Sequence, residues 1–386
     1  MPTVALTTFQ DLIDHGASYL GDTVSKDAVR DAKRAALDAY RDVAAAHRWS
    51  YYTTLGHINA TAAYSTGTID FDLTGGSYER LVTLAGGTWP DWARQGRLVI
   101  SSVPYQIAER LSGSQVTLLH GSNPGADVAS GTSYTLLRDT YPLPADFLSL
   151  DDVVLTAQSR CLKYVHPQEW LSRQRIYHSP SVPWAYTILG NPDFYGAMAL
   201  SLFPAPDQSY ALDFVYQRRP RPLLVDNLQD GTVTVSAGSA AVSGSGTLWA
   251  SKHVGSVLRI SDSRTETPTG LSGNYPYAVE RVITDVASAT SATADSTIAT
   301  AYSSVLAVVS DPVDVEEGAM LTAVLRGIEK HLAMTRRIKD ALAPSVAAFR
   351  EALLMAREAD LRHTGMRAPG GRRDVVRLSD MPAESS

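Results

Sequence analysis

The chain has 386 residues, 44% of them hydrophobic and 19% charged, and Lys+Arg 34 against Asp+Glu 40 leave a net charge of -6. Such a length predicts about two or three domains, the hydrophobic share excludes a disordered chain, and the acidic balance argues against a protein that works chiefly by neutralising many phosphates. A mean hydropathy of -0.09 without any long apolar run predicts no membrane span, and the opening MPTVALTTFQ lacks the pattern of a secretory signal, so folding in a cytoplasm is expected.

Residues 7 to about 48 read as two helices. The second opens at Ser25 as N-cap with Asp27 in its first turn, and Ala28, Ala32, Ala35, Ala36, Ala39, Tyr40 and Val43 recur at spacings of three and four, a narrow face of small residues that permits close packing. Trp49, Tyr51 and Tyr52 close this segment as an aromatic anchor.

From about residue 64 the period changes to two, with Gly, Ser and Thr punctuating short strands. A second tract near residue 231 has the same grammar. Both begin Gly-Thr before alternating apolar residues (Gly67, Thr68, Ile69, Phe71; Gly231, Thr232, Val233, Val235). Both continue to a second Gly-Thr with a tryptophan nearby (Gly87, Thr88, Trp89; Gly246, Thr247, Trp249), then to Gly96 or Gly255, and later to Pro104-Tyr105-x-Ile107 or Pro276-Tyr277-x-Val279. Two similar β modules are therefore expected.

Between them, YPLPADFLSLDDVVL at 141–155 and the segment 186–224 read as a small antiparallel sheet whose strands turn at Pro204 to Asp207, with Leu200, Leu202, Leu212, Phe214 and Tyr216 alternating. Past Asp311 and Pro312, Leu321, Leu325, Ile328 and Leu332 form the stripe of a helix that Pro344 breaks or restarts. Val346, Phe349, Leu353 and Leu361 place the last helix. The expected fold class is α+β: a helical bundle core from the N- and C-terminal helices, with a small antiparallel sheet and two inserted, mutually similar all-β modules. The expected parts are 1–59 (N-terminal helical), 60–138 (first β module), 139–228 (central sheet), 229–309 (second β module), 310–364 (C-terminal helices) and 365–386 (a flexible, arginine-bearing arm).

Catalytic patterns are missing: there is no His-Glu-x-x-His, Gly-x-Ser-x-Gly, Gly-x-x-x-x-Gly-Lys or Gly-x-Gly-x-x-Gly. Asp151 and Asp152 are neighbours, which on a strand point to opposite faces. His166 beside Glu169 lacks the further ligands a metal needs. Cys161 is the single cysteine, excludes an internal disulfide, and reads as a buried inert thiol. No catalytic, cofactor or metal residue is assigned, and an enzyme is not expected.

The helical segment ending at Trp49, the Leu-Pro-x-Asp-Phe stretch from Leu143 to Phe147, the run Tyr186, Ile188, Gly190, Pro204, Pro206, Asp207, Tyr210, Leu212 and Tyr216, and the helical pair after Asp311 and Pro312 together resemble the phage head-to-tail adaptor family, the head-completion or tail accessory proteins beneath the portal. The two β modules depart from its smaller members. The resemblance implies a non-enzymatic virion protein at the head-tail junction, a ring of about twelve copies closed by heterologous contacts. Its partners would be the portal protein ring, a downstream tail or nozzle protein and copies of itself, with a conduit for DNA, roles in tail assembly and genome ejection, and no sequence-specific nucleic acid. It also implies that the C-terminal arm reaches the portal, a role falling on Arg367, Arg372, Arg373 and Arg377. Ala28, Ala32, Ala35 and Ala39 are the expected packing face between subunits. The β modules are expected to point outward, towards a tail fibre or spike.

A competing reading makes the protein a receptor- or glycan-binding tail protein whose Trp89, Trp92 and Trp249 are stacking platforms on the modules, although Trp89 and Trp249 follow the same repeated Gly-Thr and so read first as module core. A glycan-cleaving enzyme ranks last, because no carboxylate pair can be identified for it.

Overall fold

The computed structural model describes residues 6–23, 25–74, 78–156, 159–176, 179–191, 196–270 and 273–363. These fall into two compact units, one drawn from Tyr52–Arg219 and the other from the flanking segments up to Tyr51 and from Pro220 onward. The expected helical-bundle core is overturned. Strand accounts for 38% of the structure and helix for 26%, and the described strands form two four-stranded and two seven-stranded sheets. The terminal helices show their apolar stripe within one segment, whereas the strands scatter theirs over many short pieces that meet only on folding. Three of the buried clusters are built from these strands.

In chain order, α1 (Phe9–Tyr19) and α2 (Lys26–Ala46) come first. A capping box starts α1: the Asp11 amide donates to Thr8 Oγ1 at 3.4 Å and the Thr8 amide to Asp11 Oδ2 at 2.9 Å. Ser25 does precede α2, but its side chain makes no capping bond. Trp49 and Tyr52 are buried while Tyr51 is exposed.

The Tyr52–Arg219 unit then runs through β1 (Thr53–Ala60), the module strands β2 (Thr68–Asp72), β3 (Leu81–Ala85), β4 (Arg97–Ile100), β5 (Val103–Arg110), β6 (Gln115–Leu118), β7 (Val128–Thr132) and β8 (Tyr134–Leu137), and on to β9 (Thr140–Pro142). Next come β10 (Phe147–Leu155), β11 (Arg160–Cys161), β12 (Lys163–Tyr164), α3 (Pro167–Ile176), β13 (Ala185–Gly190), β14 (Met198–Phe203) and β15 (Tyr210–Arg218). Residues 53–60, expected at the end of the helical part, form a strand paired along its whole length with β15.

The expected single small sheet is two sheets, β1-β15-β10-β11 and β12-β13-β14-β9. The Pro204 to Asp207 turn therefore leads from one sheet into the other instead of closing a hairpin. Leu200 and Leu202 of β14 enter the same buried cluster as Leu212, Phe214 and Tyr216 of β15, together with Tyr141, Leu143 and Phe147. One cluster fed from two sheets means that the sheets face each other across it.

The other unit continues with β16 (Thr232–Val235), β17 (Ser239–Ser245), β18 (Val257–Ile260), β19 (Val279–Ser288), β20 (Ser291–Ile298), β21 (Tyr302–Val305), β22 (Ala307–Ser310), α4 (Ala319–Thr335) and α5 (Lys339–His363). α2 packs on both α1 and α4, and α4 packs on α5. The break between the last helices falls before Lys339, where Arg337 takes a φ of 52°, and Pro344 lies inside α5.

The two modules thread their strands identically. Counted within its own module, each sheet runs sixth, first, second, fifth, fourth, third, seventh strand. Their shared glycines have a physical cause. A Cβ on Gly67 would stand 2.2 Å from the Ala85 carbonyl oxygen, and one on Gly231 the same 2.2 Å from that of Ser245. Both glycines have positive φ, 85° and 69°, so each is demanded twice, by conformation and by the crossing backbone. Gly86 and Gly246 are their partners, each with its Cβ position nearest the Cα of the first glycine, at 3.7 and 3.6 Å. The spatial equivalent of Gly246 is thus Gly86, one residue before the Gly87 that sequence alignment selects. The modules differ at the β4–β5 connection, a tight turn at Ser101 and Ser102 in the first, where the second spends residues 261–278 between β18 and β19.

Candidate functional site

The central sandwich explains the Leu-Pro-x-Asp-Phe stretch. Leu143 and Phe147 are buried, the Phe147 amide donates to the Pro144 carbonyl at 3.0 Å, and Asp146 Oδ1 accepts the Tyr216 hydroxyl at 3.0 Å. Burial, then Asp146, pushes the Tyr216 phenol above its usual range. Tyr210 repeats the arrangement by donating to Asp207 Oδ1 at 2.7 Å.

Each module leaves through a buried aspartate that binds the residue after a module glycine. Behind β8, Asp139 takes the guanidinium of Arg97, which follows Gly96. Behind β22, Asp311 Oδ1 accepts Ser256 Oγ at 2.7 Å, and Ser256 follows Gly255. Asp311 Oδ2 also accepts the amides of Leu224 and Val225, each at 2.7 Å, and Arg221 reaches Oδ1 at 3.2 Å. A carboxylate with this many donors holds the incoming and outgoing segments of the module together.

The second module is also tied to α1. Arg259 of β18 donates to Asp11 Oδ1 and Oδ2 at 2.8 and 2.7 Å, to Glu280 Oε2 at 2.9 Å and to the Leu6 carbonyl at 3.0 Å. Its guanidinium lies 4.9 Å from the Tyr277 ring centroid. Tyr277 belongs to the long β18–β19 connection, so the loop that sets this module apart completes the clasp. Burial and then Glu280 push the Tyr277 phenol up to about 12, against the opposing pull of the Arg259 guanidinium.

At the far end of α5, the Ser50 amide donates to Asp360 Oδ1 at 2.8 Å and His47 Nε2 stands 3.1 Å from Oδ2. Arg357 donates to the Ala46 carbonyl at the C-terminus of α2, a favourable place for a cation. The helix that leads into the C-terminal arm is thereby anchored to α2. Sequence reading missed this anchor, because its only signal is a charged residue on the otherwise apolar face that also holds Phe349, Ala352 and Ala356.

Of the residues assigned from sequence, Ala28, Ala32, Ala35 and Ala39 are buried inside the subunit. A Cβ on Gly16 of α1 would lie 3.0 Å from the Ala32 Cβ, and one on Gly327 of α4 would lie 2.9 Å from that of Ala39. The close approach that alanine permits is used between helices of one chain. Arg367, Arg372, Arg373 and Arg377 lie outside the described residues. The exposed apolar side chains include Met334, Ile338 and Leu342 at the α4–α5 corner and Leu354 and Met355 on α5.

Trp89 and Trp249 are core residues, and Trp92 is half-buried with the Arg138 guanidinium 5.6 Å from its ring centroid. Cys161 is exposed, contrary to expectation, because it lies on a two-residue edge strand. Asp151 and Asp152 are both exposed, where the β10–β15 register shifts between Leu150 and Val153. His166 and Glu169 are exposed as well, and among the described residues no three His, Cys, Asp or Glu side chains gather as metal ligands. No described helix is long and apolar enough to cross a membrane.

Comparison with known proteins returned no curated relative. Residues 84–243 match the family model described as SU10 adaptor protein, a segment that runs from β3 across the central sandwich to β17 and covers less than half of the chain. This match supports a phage adaptor-type structural protein, one that works beside other capsid or tail proteins of the virion.

Proposed function

We propose that this protein is a non-enzymatic head-to-tail adaptor, a ring of about twelve copies that docks beneath the portal, offers the tail its attachment platform and leaves a conduit for DNA. The supporting observation is the SU10 adaptor match over residues 84–243, which contains the Leu143 to Phe147 stretch and the Tyr210 to Tyr216 strand. In this reading the arm beyond α5 reaches the portal through Arg367, Arg372, Arg373 and Arg377, arginine being suited to bidentate capture of carboxylates. Anchoring of α5 by Arg357 and Asp360 gives that arm a defined point of departure. Subunit contacts need a surface other than the alanine face, and the corner at Met334, Ile338 and Leu342 offers one. Burial of Trp89 and Trp249 removes two of the three platforms on which the glycan-binding reading rested, and the third, Trp92, is half-buried beside Arg138.

Electron microscopy of the purified protein, alone and mixed with the portal ring from the same genome, tests the proposal. An added tier with the rotational symmetry of the portal is the expected result, and a bare portal refutes it. Deleting residues 365–386 should abolish attachment while leaving the fold intact; unchanged attachment would remove the arm from the mechanism.

A further inference from the structure

Two of the four acids of α2 are taken up by the neighbouring C-terminal helices. Asp31 and Asp42 are turned towards α4, where Asp31 meets Arg336 at 2.7 Å and Asp42 meets Lys330 at 2.7 Å and His331 at 3.0 Å. Beside them the solvent face holds, with Asp27 among them, Lys26, Arg30, Arg34 and Arg41, all exposed. Their spacings of four, four and seven residues put them on one side of a helix, over about 22 Å at 1.5 Å of rise per residue. Arg30 pairs with Asp27 at 3.0 Å. Lys26, Arg34 and Arg41 have no ion pair among the described residues, although Asp38 lies along the edge of the strip. On the other edge Lys33 is held by Asp226 at 2.7 Å.

We propose that this strip is a contact for the phosphate backbone of duplex DNA, independent of base sequence. A row of unpaired cations along one helix is the electrostatic footprint of a polyanion site. An acidic protein partner is the less suited occupant: protein hot spots, arginines included, sit in well-packed, desolvated pockets, whereas the cations here are all exposed and the apolar residues beside them are a half-buried Leu37 and the small Ala44 and Ala45. The net charge of -6 keeps the contact local and weak, since the rest of the molecule repels phosphate. Such a contact would suit DNA that must slide past. It bears on the conduit role proposed above without needing a ring, because the face is exposed on the single chain.

Binding of the full-length protein to a labelled DNA duplex, followed by fluorescence anisotropy from 50 to 200 mM salt, tests this. Three phosphate contacts predict about a 40-fold loss of affinity over that range. The triple variant Lys26→Gln, Arg34→Gln, Arg41→Gln should weaken binding at least tenfold at the lowest salt and cut the slope of log K against log salt by about 3. Arg34→Lys with Arg41→Lys should retain both affinity and slope, because charge and not guanidinium geometry is the requirement. Replacing Arg367, Arg372, Arg373 and Arg377 with Gln in parallel separates any contribution of the arm. An unchanged slope in the triple variant overturns the proposal, as does loss of portal attachment with DNA binding intact.

Discussion

Replacing Arg259 with methionine removes the guanidinium that joins β18 to α1 and leaves its partners in place. The side chain of Glu280 is only 5% exposed, whereas that of Asp11 is 26% exposed, so the main cost is a buried carboxylate without a counter-charge. Breaking a buried pair from one side costs about 3–5 kcal/mol. Most of that belongs to the stranded charge, so adding Glu280→Gln should restore at least half of it. Glutamine keeps an oxygen for the Leu6 amide, which donates to Glu280 Oε1 at 2.9 Å, and Asp11 can turn to water. Calorimetry of the full chain reads the loss and its rescue, and hydrogen exchange over residues 6–19 should report local opening of α1 in the single variant. A loss below about 1 kcal/mol, the scale of an exposed pair, or a double variant no more stable than the single one, would refute this account of the clasp.

Gly231→Ala should destabilise by about 3 kcal/mol or more and Gly238→Ala by only about 1 kcal/mol. Both glycines have positive φ, 69° and 76°, but only the Gly231 site is blocked by backbone; equal losses in denaturant titration would discredit the crowding argument. His57 Nδ1 lies 2.7 Å from Asp213 Oδ1, a bond that raises the histidine above 6.5 and lowers the aspartate below 3.8. The histidine part of this interaction is fully present below pH 6.5 and is lost as pH rises through the raised value, and the aspartate part is lost as pH falls through the lowered one. An NMR titration should therefore find the His57 midpoint above 6.5 and Asp213→Asn should bring it back; a midpoint that ignores the substitution contradicts the pairing. Cys161 should react with a thiol reagent in the native protein, and protection until denaturation would contradict its exposed position.

Much of the local structure was legible in the residues themselves. The alanine spacing of α2 located a packed helix, because 3.6-residue periodicity records burial directly. The repeated Gly-Thr tracts announced two β modules of one kind, since a glycine forced by a crossing backbone must reappear wherever that crossing does. The buried fates of Trp89 and Trp249 followed from their shared place in the repeat.

What the residues could not disclose was assignment among partners. Leu200, Leu202, Leu212 and Phe214 alternate equally well in one hairpin or in two facing sheets, and only the paths of β9 and β10 decide between them. The alanine face predicts a close neighbour without naming it, and the neighbours proved to be α1 and α4 of the same chain. Gly86 and Gly87 are indistinguishable in sequence until the approach of Gly67 selects the first. Arg259, Asp311 and Asp360 are ordinary charged residues in the sequence, and they become central only when segments far apart in the chain converge on them. Period and turn chemistry are properties of consecutive residues and so determine the elements, whereas burial of charge and choice of sheet depend on long-range contacts, which tertiary structure alone decides.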